Sequence, residues 1–134
     1  MQTIHLYFDG GTLHGSFKVF VDFVDESQLV YHQKYDMDGI GDSNQAEFTV
    51  LLRGLRRLLV LYDNPEDFFV KIYGDNSLVP KMVGRKTNGL WNGELSSVET
   101  FTYLTGVIRE KLDRFGGFEY NRVKRPTIVN MLGH

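Results

Sequence analysis

The chain has 134 residues, with 15 Lys and Arg against 17 Asp and Glu, for a formal net charge of −2. That length holds one core without staples, so a single domain over residues 1–134 is expected. The absence of cysteine excludes disulfides, thiolate zinc sites and cysteine nucleophiles. His5, His14, His32 and His134 are scattered, with no metal-ligand pair at helical spacing. The N-terminus does not read as a signal peptide, and no apolar run approaches the ~20 residues that span a membrane. A soluble, cytoplasmic protein is expected. The near-neutral balance lacks the basic excess of many nucleic-acid binders, so such binding must rest on local clusters. Three are present: Arg53, Arg56 and Arg57; Arg85 and Lys86; Arg122, Lys124 and Arg125. Solvated helix faces and strand ends account for such clusters more often than phosphates do.

Residues 3–9 alternate, with Ile4, Leu6 and Phe8 on one face and Tyr7 and Asp9 on the other, which predicts a strand broken by Gly10 and Gly11. Residues 16–24 alternate again. A turn at 25–28 and a third strand over 29–35 suggest an antiparallel meander. Residues 36–44 form a loop. A helix follows, with Ala46, Val50, Leu51, Leu55, Leu58, Leu59 and Tyr62 at helical spacing; Gly54 on that stripe permits close packing against a sheet. Asn44 is its expected N-cap and Glu47 the capping-box partner. The apolar run 68–73 predicts a strand covered on both faces. Residues 77–84 suit a short helix, 85–93 a loop, and 94–115 a long helix with Leu95, Val98, Phe101, Leu104, Thr105, Ile108 and Leu112 inward. A last strand spans 118–123, and Pro126 starts a short terminal helix with Val129 and Leu132 inward. The order β-β-β-α-β-α-α-β-α predicts one α/β domain with a mixed sheet.

Three acids fall at element ends. Asp9 closes the first strand, Glu47 lies in the first turn of the first long helix, and Asp75 follows the apolar strand. If the first and fourth strands are parallel neighbours joined by a right-handed crossover, all three reach one crevice. Clustered carboxylates raise one another's pKa, and a divalent cation relieves this; all-oxygen ligands suit Mg²⁺ or Mn²⁺. Each acid also has a purely structural reading: Asp9 as a turn former, Glu47 as part of a capping box, Asp75 as a helix cap.

These segments resemble the ribonuclease H family. "YFDGG" is similar to its first-strand motif, "SNQAEF" to its N-x-A-E segment, "IYGDNSLV" to its fourth-strand D-S motif, and "RVKRPTIVNMLGH" to its closing R-x-x-N-x-x-A-D-x-L-A segment. The resemblance covers nearly the whole chain and is closest to the compact bacterial and archaeal members without a basic handle. It implies a five-stranded mixed sheet, three antiparallel strands then two parallel, flanked by helices. It also implies cleavage of the RNA strand of RNA–DNA hybrids with two Mg²⁺ (or Mn²⁺) ions. Asp9 would bridge both ions, and Glu47 and Asp75 would hold the second. Asn44 and Asn76 would lie on the nucleic acid, Gly10 and Gly11 would let its backbone approach, and Arg122, Lys124 and Arg125 would meet phosphates.

The sequence departs from the family where Asn76 stands in place of serine, where residues 116–127 contain no histidine, and where the fourth acid falls on Asn130. An amide in that corner keeps a carbonyl oxygen but removes a charge, which weakens the first metal position. It is compatible with a natural enzyme of reduced activity, with a non-catalytic module that binds nucleic acid or protein, or with an introduced substitution. A DNA nuclease of the same fold is a further alternative.

Overall fold

The computed structural model describes residues 1–94 and 96–133. Strands β1 (Gln2–Gly10), β2 (His14–Phe23) and β3 (Glu26–Asp36) form the expected meander. Its second turn is tight: Val24 and Asp25 both have positive φ, 40° and 66°, as a two-residue hairpin turn with right-handed strand twist requires. Helix α1 (Ser43–Leu61) crosses to β4 (Phe68–Gly74), and a short α2 (Leu78–Val83) follows. Then come β5 (Lys86–Thr87), β6 (Leu90–Trp91), α3 (Glu99–Leu112), β7 (Gly117–Arg122) and α4 (Arg125–Leu132). The main sheet has the order β3-β2-β1-β4-β7; β1 and β2 pair antiparallel, β1 and β4 parallel, β4 and β7 parallel. This is the five-stranded mixed sheet expected from the sequence. Among the described residues no helix is long and apolar enough to cross a membrane.

The alternation read from the sequence sets the core. Ile4, Leu6 and Phe8 pair in register with Val21, Val19 and Phe17, and all six are fully buried. Helix α1 lays Val50, Leu51, Leu55 and Leu58 on this surface. Gly54 permits the approach, since a Cβ there would lie 3.0 Å from Leu6 Cδ1. Helix α4 packs on β1 and β2 through the buried Ile128 and Leu132, apart from this cluster.

Four local expectations are corrected. Helix α1 starts earlier than expected, with Asp42 as its N-cap; the Gln45 backbone N–H donates to the Asp42 carboxylate at 2.7 Å. Asn44 and Glu47 are therefore not a capping pair, and Glu47 turns inward. Strand β4 alternates: Phe68, Val70 and Ile72 are buried, Phe69, Lys71 and Tyr73 half-buried, so one face alone is fully covered. The expected loop at 85–93 contains the β5–β6 hairpin, turned by Asn88 and Gly89 at φ 52° and 80°. Helix α3 starts at Glu99 rather than near Glu94: the Val98 N–H, which a helix from Glu94 would direct to the Glu94 carbonyl, donates instead to Ser96 Oγ at 2.9 Å. Leu95, expected on the inward stripe of α3, lies outside the described residues.

Candidate metal centre

The parallel pairing of β1 and β4 sets their C-terminal ends side by side, which brings Asp9 next to Asp75. Glu47 arrives from the first turns of α1. One carboxylate oxygen from each of Asp9, Glu47 and Asp75 lies within 4.8 Å of the others. Asp9 and Glu47 are each 4% exposed, and the Asp75 side chain is 18% exposed. The structural readings of these acids fall away at two positions. Asn76, not Asp75, caps α2: its Oδ1 accepts from the N–H groups of Leu78 and Val79 at 2.7 and 3.0 Å. Asp42, not a box with Glu47, caps α1.

Glu47 Oε2 is buried with no hydrogen-bond partner. Burial, and then the neighbouring Asp9 charge, push the Glu47 carboxyl up to about 9. The Gly10 N–H, which donates to the carboxylate, opposes this; Asp75 adds to it. Without a further cation Glu47 thus holds its proton at neutral pH. Gly10 makes this geometry possible: a Cβ there would sit 2.7 Å from the Ala46 carbonyl and 2.8 Å from the Glu47 nitrogen. The space on the Cβ side of Gly10 is filled by α1, so the lack of a side chain here lets the helix approach. Gly11 remains open, with only the His14 carbonyl oxygen near, at 3.6 Å.

A cation from the same chain completes the group. Arg125 Nη1 donates to Asp9 Oδ1 at 2.7 Å and lies 3.4 Å from Asp75 Oδ2. Burial lowers its pKa, but the attraction of Asp9 and Asp75 outweighs this and raises it. Asn130, expected in the fourth corner, is exposed. It lies roughly 140° around the helix axis from Arg125, five residues on at ~100° each, and opposite the buried Ile128 and Leu132. From α4, Arg125 reaches the carboxylates of Asp9 and Asp75.

The other expected contacts gather nearby. Arg122 and Lys124 line, with Asp75, Val123 and Arg125, an open cleft of about 480 Å³. Arg122 Nε also donates to the Asp75 carbonyl at 3.3 Å. Asn44 accepts a hydrogen bond from Asn76 Nδ2 at 3.0 Å, so the two are joined at the rim between α1 and α2. A second cleft of about 370 Å³ on the Asp9 side is lined by Gly11, Thr12, Leu13, His14, Ser43 and Arg125. Sequence reasoning missed Thr12, which carries no motif; His14 reads there only as a scattered histidine, and Ser43 only as the first residue of "SNQAEF". It also missed the pairing of Arg125 with Asp9, since nothing local signals an ion pair across 116 positions.

The chain has the ribonuclease H-like fold. It is similar to RNase H1 of the halophilic archaeon Halobacterium salinarum, at 21% identity over 94% of this chain and 89% of that one, with a TM-score of 0.70. It is similar to the N-terminal RNase H domain of a Mycobacterium tuberculosis protein, at 19% identity over 95% and 91% of the two chains, TM-score 0.65. It also matches LC11-RNase H1 in complex with an RNA/DNA hybrid, at 16% identity over 97% and 90%, TM-score 0.61. No protein-family model and no curated protein sequence matches the chain.

Proposed function

We propose that this chain is a divalent-metal-dependent nuclease that hydrolyses the RNA strand of RNA–DNA hybrids. The observation that carries this reading is the convergence of Asp9, Glu47 and Asp75, with the Glu47 Oε2 atom buried and unpartnered among them. Hard oxygen donors suit Mg²⁺ or Mn²⁺, so the residues present fit such an ion. Asp9, Glu47 and Asp75 would hold it. When bound, a divalent ion in this position makes water a nucleophile at neutral pH and stabilises charge on a leaving oxygen. Three carboxylates supply donors for one ion; a second would draw its remaining ligands from substrate phosphate and water. The similarity to a ribonuclease solved with an RNA/DNA hybrid supports hybrid as substrate.

The chain's own residues bind and orient. Arg122 and Lys124, exposed beside Asp75, are placed to take backbone phosphates. Asn44, exposed at the rim one turn before Glu47, is placed to test a sugar edge for a 2′-hydroxyl. Asp9, at the end of the central strand β1, would hold the ion between these contacts.

The test is incubation of hybrid labelled on each strand with Mg²⁺ or Mn²⁺, beside duplex DNA and duplex RNA. Divalent-dependent cuts in the RNA strand, abolished by chelator and by Asp9→Asn, support the reading. Intact RNA under every condition removes it. A second reading, a non-catalytic module that binds nucleic acid, is favoured by Arg125 at the carboxylates. Tight, salt-dependent hybrid binding without cleavage would establish it.

A further inference from the structure

Arg125 sits among the carboxylates themselves. Its Nη1 lies 2.7 Å from Asp9 Oδ1 and 3.4 Å from Asp75 Oδ2. The partners differ in freedom. Asp9 is fixed at the end of a central strand with its side chain 6% exposed, whereas the Arg125 side chain is 60% exposed. A long, solvated stem swings without disturbing a core. Helix α4 keeps its hold on β1 and β2 through the buried Ile128 and Leu132. The guanidinium can therefore leave while the helix stays. It also walls both clefts that flank the acids, so its movement joins them.

Resting on the reading of this site as a metal centre, we infer that Arg125 is the resident counter-ion of that centre and is exchanged for the divalent ion. Guanidinium and metal compete for the same carboxylates. A guanidinium 2.7 Å from Asp9 Oδ1 takes one of the carboxylate's lone-pair sites and sets a like charge beside any ion that uses the others, so the two bind more weakly together than apart. Loading the metal therefore releases Arg125 from Asp9, and Arg125 sets the metal affinity of the free protein. By linkage, an anion that accepts the released guanidinium strengthens metal binding by the same factor as the metal strengthens anion binding.

The test is a calorimetric titration of Mn²⁺ into the metal-free full chain, at fixed pH and ionic strength, for the wild type, Arg125→Gln and Arg125→Lys. The Gln variant is expected to bind Mn²⁺ at least tenfold more tightly. The Lys variant, which keeps the charge but loses the planar fork, falls between the two. Thermal unfolding gives a second readout: Mn²⁺ raises the melting temperature of the Gln variant more than that of the wild type. Equal or weaker Mn²⁺ binding by the Gln variant overturns the exchange and leaves Arg125 a structural pin. Absence of binding in all three chains overturns it as well, since removal of the cation then frees no site. Hybrid cleavage is scored separately. A wild type that cuts while the Gln variant binds Mn²⁺ no better retains the nuclease and removes the exchange; tighter Mn²⁺ binding by the Gln variant, with no cleavage by the wild type, does the reverse.

Discussion

Gly10 and Glu47 are set against each other so closely that neither position is independent. The Gly10 N–H donates to the Glu47 carboxylate, and a methyl group on Gly10 would lie 2.8 Å from the Glu47 nitrogen and 2.7 Å from the Ala46 carbonyl. Both contacts are backbone, which cannot rotate aside. Gly10→Ala should therefore displace the start of α1 and cost about 1–3 kcal/mol of stability, as overpacking does. Gly11→Ala, with only an ordinary contact to His14, should cost little. Urea denaturation of both variants checks this; equal midpoints for the two would contradict it.

The raised Glu47 carboxyl makes stability depend on pH in a definite direction. Its ordinary value is 4.5, and in the fold it is pushed up to about 9 by burial and by Asp9. Between these values the native state keeps a proton that the unfolded state has released, so stability falls as pH rises. The contribution is fully present below the lower value and lost through the upper one. Metal-free protein should thus show falling urea midpoints from pH 5 to pH 9, and Glu47→Gln, which has no proton to lose, should flatten the slope. A metal needs the carboxylate, so Mn²⁺ binding near neutral pH should release about one proton, read from titrations in buffers of different ionisation enthalpy.

At Asn130 the expectation from sequence and the placement in the fold lead to different experiments. An amide ligand in the fourth corner would make Asn130→Asp a strong activator. Asn130 is exposed, on the side of α4 opposite Ile128 and Leu132 and about 140° from Arg125; on that placement an added acid would face solvent. Asn130→Asp should change hybrid cleavage less than about threefold, since surface changes of this kind shift energies by under about 0.5 kcal/mol. A large gain in rate would show that the residue does face the metal centre.

The cations at the cleft beside Asp75 should act through phosphates. Arg122→Ala and Lys124→Ala should each weaken hybrid and duplex binding alike, and each should reduce the slope of log affinity against log salt by about 1. Binding measured over a range of NaCl without divalent ion gives the slopes. An unchanged slope in both variants would remove this cleft from the binding path.

Much of this was legible in the chain because it is local and periodic. The alternation of Ile4, Leu6 and Phe8 and the stripe of Val50, Leu51, Leu55 and Leu58 predict elements and buried faces together, and the order of elements then puts Asp9, Glu47 and Asp75 at one sheet end. The hairpin at 86–91 reads in sequence as a loop: Asn88–Gly89 is a turn signal, but its strands have two residues each and show no alternation. The start of α3 was not legible, because a side-chain acceptor, Ser96 Oγ, competes with the Glu94 carbonyl for the Val98 N–H. In the terminal helix eight residues are too few to fix the phase of an apolar stripe, so Ile128 and Leu132 point inward where Val129 and Leu132 were expected. Arg125 reads in sequence as one of three basic residues; its partner is chosen by the fold, which closes α4 onto the end of β1.

The central claim is that Asp9, Glu47 and Asp75 form a metal centre. The most direct measurement is a crystal structure of the wild-type chain grown with saturating Mn²⁺, with the ion located by anomalous scattering. The account predicts Mn²⁺ within about 2.5 Å of an oxygen from each of Asp9, Glu47 and Asp75, with the Arg125 guanidinium moved off Asp9. No anomalous peak at these carboxylates, with Arg125 still bonded to Asp9, would contradict it.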